Sequence, residues 1–136
     1  MRAVLAVHQW LYEVTGGRIG HRLLGVPTLL LTTTGRHSGL VRRAALVYAE
    51  HDGQLAVVAS AGGAATHPAW FLNLRADPQV IVQRGRSARR HTAAMASETE
   101  RDEWWRRCNE VNNDRYDEYQ RLTDREIPVV VLTPAS

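Results

Sequence analysis

The chain has no lysine: all seventeen of its basic residues are arginines. That excludes chemistry needing a free side-chain amine, such as Schiff-base formation, and phosphate loops whose lysine grips a nucleotide. A single cysteine, Cys108, cannot close an internal disulfide, and its place between Arg107 and Asn109 on a helical stretch reads as a packed thiol. The six histidines stand apart, with no HxH, HxxxH or CxxC pair, so a zinc centre has little support. No run of about eighteen apolar residues occurs that would span a bilayer. The opening MRAVLAVHQWLYEVTGG is broken by His8, Gln9 and Glu13 and is too polar for a secretory leader. These absences point to a cytoplasmic protein. There is no GxSxG elbow, and GGRIG at 16–20 lacks the preceding strand of a dinucleotide fingerprint. The carboxylates of Glu98–Glu103 sit on the first turns of a helix, where they complement its dipole. An enzyme built on so few catalytic groups would draw its chemistry from a cofactor.

What is present is unevenly distributed. Residues 1–91 carry eleven arginines against four acids, whereas residues 98–126 carry ten acids against six arginines. A basic body suits an anionic ligand, phosphorylated or carboxylated, or a nucleic acid. The 136 residues read as one domain, with 1–24 as an N-terminal helical extension. Apolar positions Ala3, Val4, Val7, Leu11 and Val14 keep a helical period that ends at Gly16-Gly17. PTLLLTTT (27–34) reads as a buried strand, and 41–50 and 54–60 as two strands joined by the tight turn His51-Asp52-Gly53. AGGAATHP reads as a flexible loop before a short helix from about Pro68 to Arg75. QVIVQRG and RSARRHTAAMA form a further hairpin turning near Gly85-Arg86. Ser97 and Glu100 make a capping box for a long helix, a shorter helical piece covers about 115–121, and IPVVVL (127–132) closes as a strand. The sum is an α+β domain on a small antiparallel barrel or curled sheet.

Two loops carry the chemistry. In TTTGRHSG (32–39), Gly35 and Gly39 permit left-handed backbone that turns successive N–H groups toward an anion. Arg36 and Arg42 add bidentate donors, and His37 and Ser38 single ones. If Arg42 lies in the next strand, Arg43 faces the opposite way. In ASAGGAATHPAW (59–70), Gly62 to Ala65 let a flat ligand approach, Trp70 offers a planar wall, and Asn73 an amide one turn later. Taken alone, the first loop also reads as an ordinary polar turn, and Trp70 as a core residue.

Together these stretches resemble the deazaflavin-dependent nitroreductase family, whose members use coenzyme F420. The likeness rests on LLTTTGRHSG (30–39), Arg42, the DGxLxVVAS hairpin (52–60), GGAATHPAWFLNLRADPQV (62–80) and DRYDEYQRLTDREIPVVVL (114–132). It implies a split β-barrel, the FMN-binding-like class, often dimeric, with the cofactor in a groove. It also implies that Arg36, His37, Ser38 and Arg42 hold the phosphate and acidic tail, with Arg43, Ala44, Ala45, Leu46 and Val47 along the same strand. Val58, Ala59, Ser60 and Ala61 would line the ring, and Ala69, Trp70, Phe71, Leu72 and Asn73 would flank ring and ribityl chain. Ser60, Tyr116 and Tyr119 would orient the acceptor or supply a proton. The reaction implied is hydride transfer from reduced F420 to a quinone, nitroaromatic or activated enone.

Three positions depart from the family pattern. His37 stands where lysine is usual, Val47 where the best-known branch has tyrosine, and Asn113 in place of the first of three tyrosines. Histidine is only partly charged near neutral pH, so its hold on phosphate is pH-sensitive. The alternatives are a non-catalytic F420- or FMN-binding protein of the same barrel class, a nucleic-acid binder using Arg84, Arg86, Arg89 and Arg90, and a peripheral membrane contact through Trp10, Leu11 and Val14. The arginines at 84–90 are not interleaved with aromatics, so nucleic acid is not the expected partner. A small-molecule acceptor and a second copy of the chain are.

Overall fold

The computed structural model describes residues 26–135, so the helix expected over 3–14 and the 1–24 extension lie outside the described residues. Seven strands follow in chain order: β1 (Thr28–Thr34), β2 (Val41–Val47), β3 (Ala49–His51), β4 (Gln54–Val58), β5 (Gln79–Arg84), β6 (Ser87–Met95) and β7 (Val129–Pro134). Among the described residues a 3-10 turn also spans Ala61–Gly63, and there are three helices, α1 (Ala69–Ala76), α2 (Glu98–Val111) and α3 (Arg115–Arg121). All pairings are antiparallel, in the order β2-β1-β5-β6-β7-β4-β3. β2 and β3 occupy opposite edges of this sheet yet only Tyr48 separates them in the chain. The sheet must therefore curl until its edges meet, which gives the α+β split barrel.

This corrects the reading of 41–50 as one strand of a hairpin. Residues 41–47 pair with β1, and only Ala49–His51 pair with β4 around the Asp52-Gly53 turn. Tyr48 and Ala49 are both buried, but Tyr48 enters one core and Ala49 the other. Tyr48 itself still bonds in the β1–β2 register, its N–H donating to the Pro27 carbonyl at 3.2 Å. The corner is thus a change of face, which local alternation cannot register.

The first core fills the barrel with Leu29, Leu31, Leu55, Val57, Val80, Val82, Val130 and Leu132, and α1 adds Phe71 and Leu74. The second lies under α2 and α3 and gathers Ala56, Val58, Trp104, Cys108, Tyr116, Ile127, Val129 and Val131. β4 and β7 contribute alternate residues to both cores, which is why their sequences read as unbroken apolar runs. β7 begins two residues later than expected. Pro128 has no N–H to give, and the Ile127 N–H is taken by Gln120 Oε1 at 3.0 Å. The capping box forms as read: the Ser97 N–H donates to the Glu100 carboxylate at 2.9 Å.

Candidate functional site

At the exit of β1 the chain folds back tightly: the Gly35 N–H donates to the Leu40 carbonyl at 2.7 Å, and the Gly39 N–H to the Gly35 carbonyl at 2.8 Å. Gly39 has the expected left-handed backbone, with φ +73°. Gly35 does not. It is required for space, because a Cβ there would meet the Leu40 carbonyl and Ser38 Oγ, each at 2.9 Å. Ser38 Oγ accepts the Leu40 N–H at 3.1 Å, so this hydroxyl shapes the turn itself.

Arg36 is anchored from α1. Asn73 is 3% exposed, and its Oδ1 accepts from both the Arg36 N–H and Arg36 Nη1, each at 3.1 Å. Its Nδ2 donates to Thr33 Oγ1 at 3.3 Å. The amide expected to face a ligand is therefore the bolt beneath the cationic turn, and Arg36 is presented from it. His37, Arg42 and Arg43 are exposed around the same turn, Arg42 paired across the ladder with Thr33 and Arg43 with Thr32. The span 26–49 contains no acid, and neither Arg36 nor Arg42 pairs with a carboxylate among the described residues. Ala44, Ala45, Leu46 and Val47 continue β2, with Ala45 buried and Leu46 packed on the barrel core.

The second loop is more ordered than a flexible linker. From Ala61 to Gly63 three consecutive residues hold positive φ, at +47°, +64° and +86°. Gly63 passes so close to α3 that a Cβ would stand 2.8 Å from the Tyr119 carbonyl. Val58 and Ala59 are buried at the end of β4. Ser60 is 8% exposed, and its hydroxyl finds no hydrogen-bond partner among the described residues. A buried hydroxyl without a partner is costly unless a ligand or water completes it.

Holding this segment is a residue that the sequence reading missed. Arg125 donates from Nη2 to the carbonyls of Ala59 (3.1 Å) and Ser60 (2.8 Å), from Nε to that of Ala64 (2.8 Å), and from Nη1 to His67 Nδ1 (2.9 Å). Asp124 and Glu126 flank it in the chain, so local sequence suggests an ordinary surface ion pair. Nothing local signals a reach across sixty residues.

Of the remaining expected residues, Trp70 and Leu72 are partly buried against the barrel core and Ala69 is exposed. Phe71, 1% exposed, lies wholly inside that core. Tyr116 likewise belongs to the second core at 5% exposure, its hydroxyl paired with Asn112 and burial pushing its acidity well below that of a free phenol. Tyr119 is half-buried and stacks edge-on against Tyr116, with ring centroids 6.2 Å apart, above the Gly63 turn. Cys108 is buried and its thiol is pushed up to about 12, as desolvation of the thiolate requires.

Two histidines are held below their usual range. Burial leads for both, reinforced by Arg125 and Arg75 at His67 and by Arg89 and Arg84 at His91. As pH falls through the unfolded histidine value of about 6.5, the unfolded chain takes up protons that the folded chain refuses. Stability from both is thus present above that value and lost below it. The urea midpoint is expected to fall between about pH 7.5 and 5.5 with unchanged slope, and less steeply in His91→Gln.

The model of a family described as F420H(2)-dependent quinone reductase matches residues 4–134. A protein of Mycobacterium tuberculosis described by the same words is 41% identical over 133 residues, covering 96% of this chain and 89% of its own. A solved structure of an F420-H2 dependent reductase is 42% identical, covers 78% of this chain and 93% of its own, and superposes with a TM-score of 0.71. Another, described as a domain-swapped dimer, is 38% identical, covers 93% and 96%, and gives a TM-score of 0.74.

Proposed function

Because the chain belongs to the F420H(2)-dependent quinone reductase family, we propose that it transfers a hydride from reduced coenzyme F420 to a quinone, as a homodimer like its domain-swapped relative. The observation that carries the binding half is the cationic turn at 35–43, free of acids and bolted to α1 through Asn73. It fits a phosphate and a carboxylate tail; the hydroxyl of buried Ser60, without a partner among the described residues, fits a polar edge of a flat ring. When bound, the reduced deazaflavin supplies two electrons as hydride, because carbon stands where a flavin has its reactive nitrogen.

Within that reading, Arg36, His37, Arg42 and Arg43 hold the anionic end, and the backbone of Val58–Ala61 abuts the ring. Ala69, Trp70 and Leu72 exclude water from one side. Tyr119 and Ser60 orient the acceptor and give or relay the proton that accompanies hydride to the quinone oxygen. The cytoplasm is the proposed setting; among the described residues no helix is long and apolar enough to cross a membrane. A peripheral membrane contact through the N-terminal helix falls outside the described residues.

The experiment is oxidation of reduced F420 followed with menadione, a nitroaromatic and an enone, beside titration of oxidised F420 against FMN. Menadione-dependent turnover above the enzyme-free rate is expected. Arg42→Ala should weaken F420 binding roughly tenfold or more, the scale of one charge-assisted contact. Binding without turnover of any acceptor would make the protein a cofactor carrier, and preference for FMN would overturn the cofactor.

A further inference from the structure

We propose that Arg125 is a positioning residue which, completed by His67, fixes the backbone of segment 59–64. Only the statement of what that segment binds rests on the functional reading above.

A solvated arginine between two acids would pair with one of them. Here Glu126 pairs instead with Arg101 at 3.4 Å, and the Arg125 guanidinium turns inward to three carbonyls and an imidazole nitrogen. Four of the guanidinium's N–H donors are thus engaged with one short segment, in the fork geometry that lysine cannot reproduce. The residue's own backbone is fixed to α3 and its exit. Its carbonyl accepts from Gln120 Nε2 at 2.7 Å, and its N–H donates to Thr123 Oγ1 at 3.3 Å. Arg125 therefore couples α3 to the ring-facing strand end.

The segment needs such a hold. Three successive left-handed residues, one of them Ala61, are a strained path that persists only when its surroundings determine it. The turn's own bonds are two, Gly63 N–H to the Ser60 carbonyl at 2.9 Å and Ala64 N–H to the Ala61 carbonyl at 3.2 Å. Arg125 adds bonds on both sides of the strained stretch, at Ala59 and Ser60 before it and Ala64 after it. The place of the Ser60 hydroxyl follows from that hold.

His67 gives the arrangement a condition. A guanidinium nitrogen can only donate, so His67 Nδ1 must present its lone pair and the ring proton must sit on Nε2. The charged groups around His67 are Arg125 and Arg75, and its ring packs on Phe71 with centroids 4.8 Å apart. A proton on Nδ1 would convert the bond into a contact between two cations and release one arm of the fork.

The test uses the full chain. In hydrogen exchange on the free protein, Arg125→Lys should accelerate the Gly63 and Ala64 amides about tenfold or more while α2 keeps its protection. With F420 and menadione, Arg125→Lys should lower kcat about tenfold while F420 affinity changes less than about threefold, since the cationic turn is untouched. Guanidinium ion should restore part of the rate to Arg125→Ala. The parent's kcat should fall on acidification below about pH 6.5, and His67→Asn, which offers an acceptor oxygen but takes no proton, should flatten that fall. Parent-like exchange and kcat in Arg125→Lys would overturn the proposal, including where Arg125→Ala fails to fold. If the parent binds no F420, the functional reading fails, while the exchange result still decides for or against the hold.

Discussion

Gly63→Ala is expected to lose about 2–5 kcal/mol of stability, a fall in Tm on the order of 10 °C. Two costs combine. At φ +86° any Cβ is strained by about 1–2 kcal/mol. The new methyl would also stand 2.8 Å from the Tyr119 carbonyl and 3.0 Å from Leu122 Cβ. A carbonyl within a helix cannot swing aside like the end of a long side chain, so overpacking adds about 1–3 kcal/mol. Gly39→Ala is the internal comparison. Gly39 has φ +73° but nothing within 4 Å of a new Cβ, so only the backbone cost applies. Thermal unfolding of the two variants side by side reads the difference, and equal losses would show that α3 does not press on the turn.

The second large effect is on binding. In Asn73→Asp the side chain still accepts from Arg36, and the Thr33 hydroxyl can rotate to donate to the second oxygen. The fold should survive with its melting temperature little changed. The cationic turn would instead acquire a carboxylate of its own, in a span that has none from 26 to 49. Removing one arginine from a phosphate or carboxylate should cost about 1.5–3 kcal/mol, or roughly ten- to a hundred-fold in Kd. Titration with oxidised F420 measures it directly. An Asn73→Asp protein that binds as tightly as the parent would place the anion site elsewhere.

Much of this was visible in the chain before any coordinates. The strand at Thr28–Thr34, the Asp52-Gly53 and Gly85-Arg86 turns, the capping box at Ser97 and the buried thiol of Cys108 all follow from local signals. Those signals act within a few residues. What escaped them acts over distance: the corner at Tyr48 depends on which of two cores receives a side chain. Phe71 and Tyr116 look like site aromatics, yet their burial is decided by neighbours from other elements. Arg125 was the hardest to foresee, because its acidic neighbours mimic the common case of a surface ion pair. Arg36 and His37 can be put on one turn from sequence, but the role of Asn73 as the anchor of Arg36 required the fold.

The placement of β7 carries a consequence for how the protein comes to be folded. In the sheet order it lies between β6 and β4, so without it β2-β1-β5-β6 and the β3–β4 hairpin are separate pieces. A lone two-stranded hairpin is marginal in water, and the pairing of β4 with β7 joins positions more than seventy residues apart. The sheet of four strands is expected to form early, and the hairpin to remain unprotected until Val129–Pro134 arrives between them. The Ala59 N–H, at the start of segment 59–64, donates to the Pro128 carbonyl at 2.9 Å. Segment 59–64 is therefore expected to take its place in the last step of folding, with the strand that closes the sheet. The cationic turn on β1 is ready before it.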